Sequence, residues 1–200
     1  TQISALIGWI DRIDSHPKDS QYIAKEMGSD MMRLEQIADR FSQMGSQSPL
    51  EKLSLSKLID GQVKYLKKRI PSLNKDTELK IKIIDDFHIM GNSILLSWAL
   101  ENLIRNAIDS IKQQNGVVEL RVKIENGFGC IDIKDNGLGI DRKDWKNIFI
   151  PGFTSKKRGW GLGLSLVQRI IKEIHSGSIV VKSSSASDGT IFRIKLNQQR

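Results

Sequence analysis

The chain has 200 residues, 39% of them hydrophobic, at a mean hydropathy of −0.30. That is enough for a real core and excludes an intrinsically disordered or a membrane-spanning protein; the longest apolar stretch, residues 93–100, is far too short to cross a bilayer. The single cysteine, Cys130, excludes an intrachain disulfide framework and a cysteine-built zinc site, while the net charge of +8 is unevenly spread, with five basic against seven acidic residues in 1–50 and 26 against 16 in 51–200.

A basic second part suits a polyanionic partner, but on charge alone a solvated lysine surface is the better explanation, so charge does not decide the function. The chain opens at Thr1 with no basic-then-apolar leader and reads as a piece of a longer protein. Ile3, Leu6, Ile7, Ile10 and Ile13 form one helical stripe, which Pro17 breaks. A second stripe runs through Ile23, Met27, Met31, Leu34, Ala38, Phe41 and Met44 at intervals of three and four, close to a coiled-coil seam. Two helices bury too little alone, so residues 1–46 are expected to form a hairpin that pairs with a second copy as a four-helix bundle. Residues 45–49 (GSQSP) read as a linker.

Helical spacing returns over residues 53–70, and strict alternation over 78–85 (ELKIKIID) predicts a strand with one wet face. Residues 93–111 form an amphipathic helix, Asn115-Gly116 a turn, and 117–124 with 130–133 two strands around Asn126-Gly127. Residues 164–174 are helical, and 179–182 with 190–196 pair around Asp188-Gly189. Three helices and about five strands, mostly in hairpins, indicate an α+β, antiparallel-rich two-layer sandwich over 51–200 rather than a doubly wound parallel sheet. Cys130 is expected to be a core thiol, and His175, closing a helix, to sit where positive charge is welcome.

Three segments carry chemistry. Asn102, Asn106 and Asp109 share one face of the long helix, opposite its apolar stripe. Short amides facing a cleft suit Mg²⁺ beside substrate phosphates, although a solvated face is the commoner fate of such a pair. Asp135-Asn-Gly137-Leu-Gly139-Ile140 follows a strand: the glycines let the backbone approach a ligand, and an ionised Asp accepts a hydrogen bond from the amine of adenine. Alone it reads equally well as a tight turn. The third, residues 149–164 (FIPGFTSKKRGWGLGL), runs Gly159, Gly161 and Gly163 directly into a helix, behind Lys156, Lys157 and Arg158. Backbone N–H groups at a helix start, with mobile cations above, make a phosphate cradle; without a ligand the segment is a flexible loop. The spacing matches neither the Rossmann nor the Walker pattern.

In their order and spacing the three resemble the N, G1, F and G2 boxes of the GHKL ATPase superfamily, most closely the catalytic domain of bacterial sensor histidine kinases, over residues 51–200. The resemblance implies the Bergerat ATP-binding fold, a mixed, mostly antiparallel sheet with helices on one face. It implies ATP contacts from Asn102, Arg105, Asn106, Asp135, Gly137, Gly139, Ile140, Thr154, Ser155, Lys156, Gly159, Gly161, Leu162, Gly163 and Leu164, with Mg²⁺ on Asn106 and adenine on Asp135. Phe149 and Phe153 match the F-box aromatics, and Thr154-Ser155-Lys156 looks like the lid of nitrogen-regulation-type kinases. Where many members carry a basic residue and then an aromatic after the metal-binding asparagine, this chain has Asp109 and Ser110; Arg105 and the lid lysines are expected to supply the charge. Trp160 is bulkier than the usual residue in that loop. The general base of hydrolytic relatives is missing, since its place is Asn102, which favours transfer over hydrolysis.

The hairpin of 1–46 resembles a partial dimerisation and histidine-phosphotransfer domain, with the phosphoacceptor expected before Thr1 and not among His16, His88 and His175. The function implied is the ATP-binding core of a two-component histidine kinase, a phosphotransferase acting toward a response-regulator aspartate and unable, as given, to label itself. Homodimerisation through the hairpin, a cytoplasmic location and no nucleic-acid or membrane contact complete the expectation. The alternatives are a degenerate nucleotide-binding or dimerisation module without transfer activity, and a hydrolytic relative of gyrase or chaperone type.

Overall fold

Ser54 closes a short strand and caps the helix that follows it. The computed structural model describes residues 21–24, 27, 28, 31, 49–68, 77–112, 115–154, 156 and 161–199. The chain divides into two compact units, Thr1–Ser48 and Pro49–Arg200. In the first, residues 21–24, 27, 28 and 31 are helical; the rest of the expected hairpin lies outside the described residues.

In the second unit, strand β1 (Glu51–Ser54) runs into helix α1 (Leu55–Lys67), where the Ser54 hydroxyl accepts the Lys57 N–H at 3.4 Å. Leu55, Ile59, Val63 and Leu66 are the buried stripe of α1. The helix therefore starts two residues later than its spacing predicts. Leu53 and Ser54 are taken by β3 (His88–Gly91), pairing antiparallel with Ile89 and His88. His88 thus opens β3, with four residues between it and the end of β2 (Thr77–Ile83). Four-residue strands are too short to show a period, so neither β1 nor β3 is visible in the sequence.

Strand β2 (Thr77–Ile83), helix α2 (Ser93–Ser110), β4 (Gly116–Glu125) and β5 (Phe128–Asp135) follow, then helix α3 (Gly163–Arg169), β6 (Ser178–Ser185) and β7 (Gly189–Asn197). The larger sheet has the order β2-β4-β5-β7-β6, with β2 parallel to β4 and every other pairing antiparallel. Among the described residues there are thus seven strands in two sheets, rather than about five. The mixed α+β layer expected from 51–200 is nevertheless present. Asn126 and Gly127, at φ 53° and 78°, make the turn between β4 and β5.

Register builds the core. Val122, Ile131, Ile194 and Ile179 are successive cross-strand neighbours, as are Leu120, Ile133, Phe192 and Val181. All eight are buried, on the face against which α2 packs over β4 and β5. The opposite face carries the polar row Arg121, Asp132 and Arg193. Lys182 is the extra residue of a bulge between Val181 and Ser183, and its ammonium reaches Asp132 at 3.1 Å. Cys130 is fully buried, as expected of a core thiol, and burial pushes its pKa up. After α3 the helix widens into one π turn, Ile170–Ile174, where an ordinary helix over 164–174 is expected.

Candidate functional site

Asp135 ends β5 in the interior of the sheet and is 2% exposed. Its Oδ1 accepts the backbone N–H of Gly137 at 2.8 Å and of Thr190 at 3.2 Å, and lies 3.2 Å from the Ser110 hydroxyl. Burial raises the pKa of this carboxyl, against the lowering effect of those three hydrogen bonds. Among the described residues all its donors meet at Oδ1, and Oδ2 takes none. Gly137 is dictated by space: a Cβ there would lie 1.9 Å from the Ser110 hydroxyl and 2.8 Å from the Ser110 carbonyl carbon. Gly139, at φ 75°, and Ile140 continue the turn. The Ile140 N–H donates to the Ser184 hydroxyl at 2.8 Å, and its carbonyl accepts the Trp145 indole N–H at 3.1 Å.

The second half of the site is the polar side of α2. Leu95, Trp98 and Ala99 lie within about 60° of the Asn102–Asp109 line on the helical wheel, and all three are buried. That side is therefore not simply opposite the apolar stripe. It is covered for its first two turns and opens only from Asn102 onward. The Asn102 amide donates to the Trp98 carbonyl at 3.0 Å, which turns its oxygen toward the start of α3. A Cβ on Gly163 would stand 3.1 Å from that oxygen and 4.0 Å from the Asn106 amide nitrogen. Both asparagines thus face the first residue of α3. Leu162, the N-cap of α3, has no side-chain capping bond, so among the described residues no N-cap side chain takes up the first N–H groups of that helix. Leu162 and Leu164 flank the turn, half-buried.

Lys156 crosses from the connecting segment onto α2. Its ammonium lies 3.0 Å from Asn106 Oδ1 and 2.7 Å from Asp109 Oδ2. The Thr154 hydroxyl accepts the Lys156 N–H at 3.1 Å. The base of that segment is pinned where the Gly152 N–H donates to the Gly161 carbonyl at 3.1 Å. Gly161 has φ 63°, and a Cβ there would come within 2.4 Å of the Gly152 backbone, so no other residue closes this base without strain. Phe149 packs edge-on against Phe192, their centroids 6.4 Å apart, whereas Phe153 is exposed. Arg105 lies 3.8 Å from Glu101 in an i,i+4 pair. Ser155, Lys157, Arg158, Gly159 and Trp160 lie outside the described residues.

Asn102, Asn106, Lys156 and Gly163 are therefore brought together from positions far apart in the chain. Ser110 and Thr190, which hold Asp135, are missed by reading the sequence, because Thr190 donates across 55 positions and no local signal marks it. His175 departs from expectation. Burial lowers its pKa, its Nδ1–H donates to the Ile170 carbonyl at 2.8 Å, and Nε2 accepts the Asn92 N–H at 3.0 Å. The ring is a neutral joint between the π turn and the start of α2, not a positive charge. Among the described residues no three or more His, Cys, Asp or Glu side chains group as a metal site.

Residues 91–200 match the family model described as histidine kinase-, DNA gyrase B-, and HSP90-like ATPase. The chain is 30% identical to sporulation kinase B of Bacillus subtilis over 185 residues, 90% of this chain and 41% of that protein. It thus spans less than half the length of that curated relative. In fold it is similar to a mycobacterial sensor histidine kinase, MprB, with a TM-score of 0.65 and 25% identity, over 75% of this chain and 98% of the other. A histidine kinase, ThkA, solved in complex with response regulator protein TrrA, has a TM-score of 0.73 at 20% identity, covering 100% of this chain and 58% of its own.

Proposed function

Because this chain belongs to the histidine kinase-, DNA gyrase B- and HSP90-like ATPase family, we propose that it binds ATP between α2 and the start of α3. From there it passes the γ-phosphoryl to a histidine, for relay to an aspartate of a response regulator. The observation that carries this reading is Asp135. The Gly137 and Thr190 N–H groups hold Oδ1 of a buried carboxylate, beside a Ser110 hydroxyl shared with the Ala107 carbonyl, which leaves Oδ2 to accept a hydrogen bond from the exocyclic amine of adenine. The other residues then fall to the phosphates. Asn102 and Asn106 present amides, Lys156 a mobile cation, and the first turn of α3 its N–H groups. Gly137 and Gly139 shape the purine end, Ile140 and Leu162 line it, and Leu164 begins the helix under the phosphates. Thr154, Ser155, Gly159 and Gly161 set the course of the segment above them, and Arg105 adds charge at the rim.

Mg²⁺, when bound, supplies charge neutralisation on the transferring phosphoryl group. Asn106 is the residue that would hold it. The fit is supported by the Lys156 ammonium, which already lies against the Asn106 and Asp109 oxygens, hard donors of the kind that ion takes. Phosphoryl transfer rests on positioning and charge more than on acid–base groups, and this site offers amides, a lysine and backbone N–H groups. No carboxylate stands at position 102 to activate water. Neither nitrogen of His175 is available to accept a phosphoryl group, since both are engaged. Because none of His16, His88 and His175 is followed by the acidic residue and later proline of an H box, labelling is expected only when a phosphoacceptor helix pair is supplied separately. A response-regulator receiver domain as the onward partner is supported by the fold neighbour solved with one, and that partnership makes a cytoplasmic location the natural one.

Calorimetric titration with Mg-ATP tests the reading. Asp135→Asn is the sharp variant: the two backbone donors hold the amide oxygen, so its NH₂ is forced to meet the adenine amine donor to donor. Affinity is expected to fall at least tenfold, about 1.4 kcal/mol, within the range for an unmet buried hydrogen bond. Unchanged affinity would show adenine to be read elsewhere.

A further inference from the structure

Asp109 is not explained by the stability of its own helix. It lies in the last turn of α2, where a carboxylate faces the negative end of the helix dipole and carries a small cost. It is half-exposed, and its contact is Lys156, 47 positions away, at 2.7 Å. The same ammonium is 3.0 Å from Asn106 Oδ1. A pair this exposed is worth little as a staple and is weak enough for a ligand to exchange. Resting on the ATP reading above, we propose that Asp109 is the residue that makes nucleotide binding depend on a divalent cation. With no nucleotide bound, its carboxylate holds Lys156 on α2. A metal-free triphosphate approaching Asn106 then meets a lysine already engaged, and drawing that lysine to the phosphates leaves the Asp109 carboxylate facing them without its partner. A triphosphate that arrives with a divalent cation brings a positive charge for the Asp109 and Asn106 oxygens to face, and Lys156 is released toward the phosphates.

The experiment is a pair of ATP titrations on the whole chain, one with Mg²⁺ and one with EDTA, read as the ratio of the two dissociation constants. Asp109→Asn is expected to strengthen metal-free binding and shrink that ratio about five- to tenfold, the scale of one unit charge at a few ångströms screened as in bulk water. Lys156→Met removes a phosphate contact and is expected to weaken Mg-ATP binding. Thermal midpoints of both variants within a few degrees of the unmodified chain establish that they fold. A ratio unmoved or widened by Asp109→Asn overturns the role given to Asp109. If the unmodified chain binds ATP under neither condition, the nucleotide reading itself has failed and this inference falls with it.

Discussion

Arg193 donates through Nε and Nη2 to the two oxygens of Asp132 at 2.6 and 2.7 Å, and through Nη1 to Glu125 at 3.1 Å. Both Arg193 and Asp132 are 6% exposed. Burial alone would raise the Asp132 pKa, but the hydrogen bonds from Arg193 and Lys182 outweigh it and hold the carboxyl below its usual range. Removing one partner of such a pair leaves a charge buried and half-satisfied, which costs more than the pair was worth. Arg193→Met is expected to destabilise the chain by about 3 kcal/mol, read as a lowered urea midpoint. Mg-ATP affinity should be unchanged at temperatures where the variant is folded, because this cluster lies on the sheet face away from α2. At the same scale, Asp135 and the Asn102–Asn106 pair are legible in the sequence, since residue type and spacing name them. Ser110 and Thr190 are not. A serine at a helix end and a threonine after a turn have ordinary local roles, and only the register of β5 against β7 makes them partners of Asp135.

Elements meet at His175. Asn92 caps α2 through its side chain, which accepts the Leu95 N–H at 3.0 Å, while its own N–H is held by the His175 ring. A proton on Nε2 would set two donors against each other and loosen that cap. The folded-state pKa of His175 lies below its ordinary value, so the unfolded chain binds more protons as pH falls through about 6.5. Stability is expected to be highest above that pH and to decline from pH 7.5 toward 5.5. His175→Gln should flatten this slope, which thermal midpoints across that window will measure. The hairpin turns at Asn126-Gly127 and Asp188-Gly189 are readable from their dipeptides, because positive φ is a local demand that few residues meet. β1 and β3 are unreadable, because each is four residues long and exists only through its pairing with the other.

At the scale of the molecule, every residue placed at the site among those described lies in the unit Pro49–Arg200. That unit also contains all of the larger sheet and the three helices packed with it. Residues 49–200 produced alone are therefore expected to fold and to bind Mg-ATP within about twofold of the whole chain; a loss beyond tenfold would place part of the site in residues 1–48. The excess positive charge of 51–200 should make that affinity fall as salt rises, as expected for an anionic ligand. The coiled-coil-like stripes of residues 1–46 and the pairing proposed for them await the same separation, with sedimentation of the whole chain against residues 49–200 as the measurement.

Amino-acid order alone determined where chemistry is available: the two amides four residues apart on one helix with a carboxylate three further on, the aspartate ahead of two glycines, the glycine run entering a helix. These are short-range matters of turn geometry, helical period and side-chain type. Tertiary structure alone decided which of these groups meet. The bond from Thr190 to Asp135 spans 55 positions, the one from Asn92 to His175 spans 83, and Lys156 reaches Asp109 across 47. Such distances follow from strand register and from how one helix lies over a sheet, and the free energy that sets them is summed over the whole core rather than carried by any local run of residues.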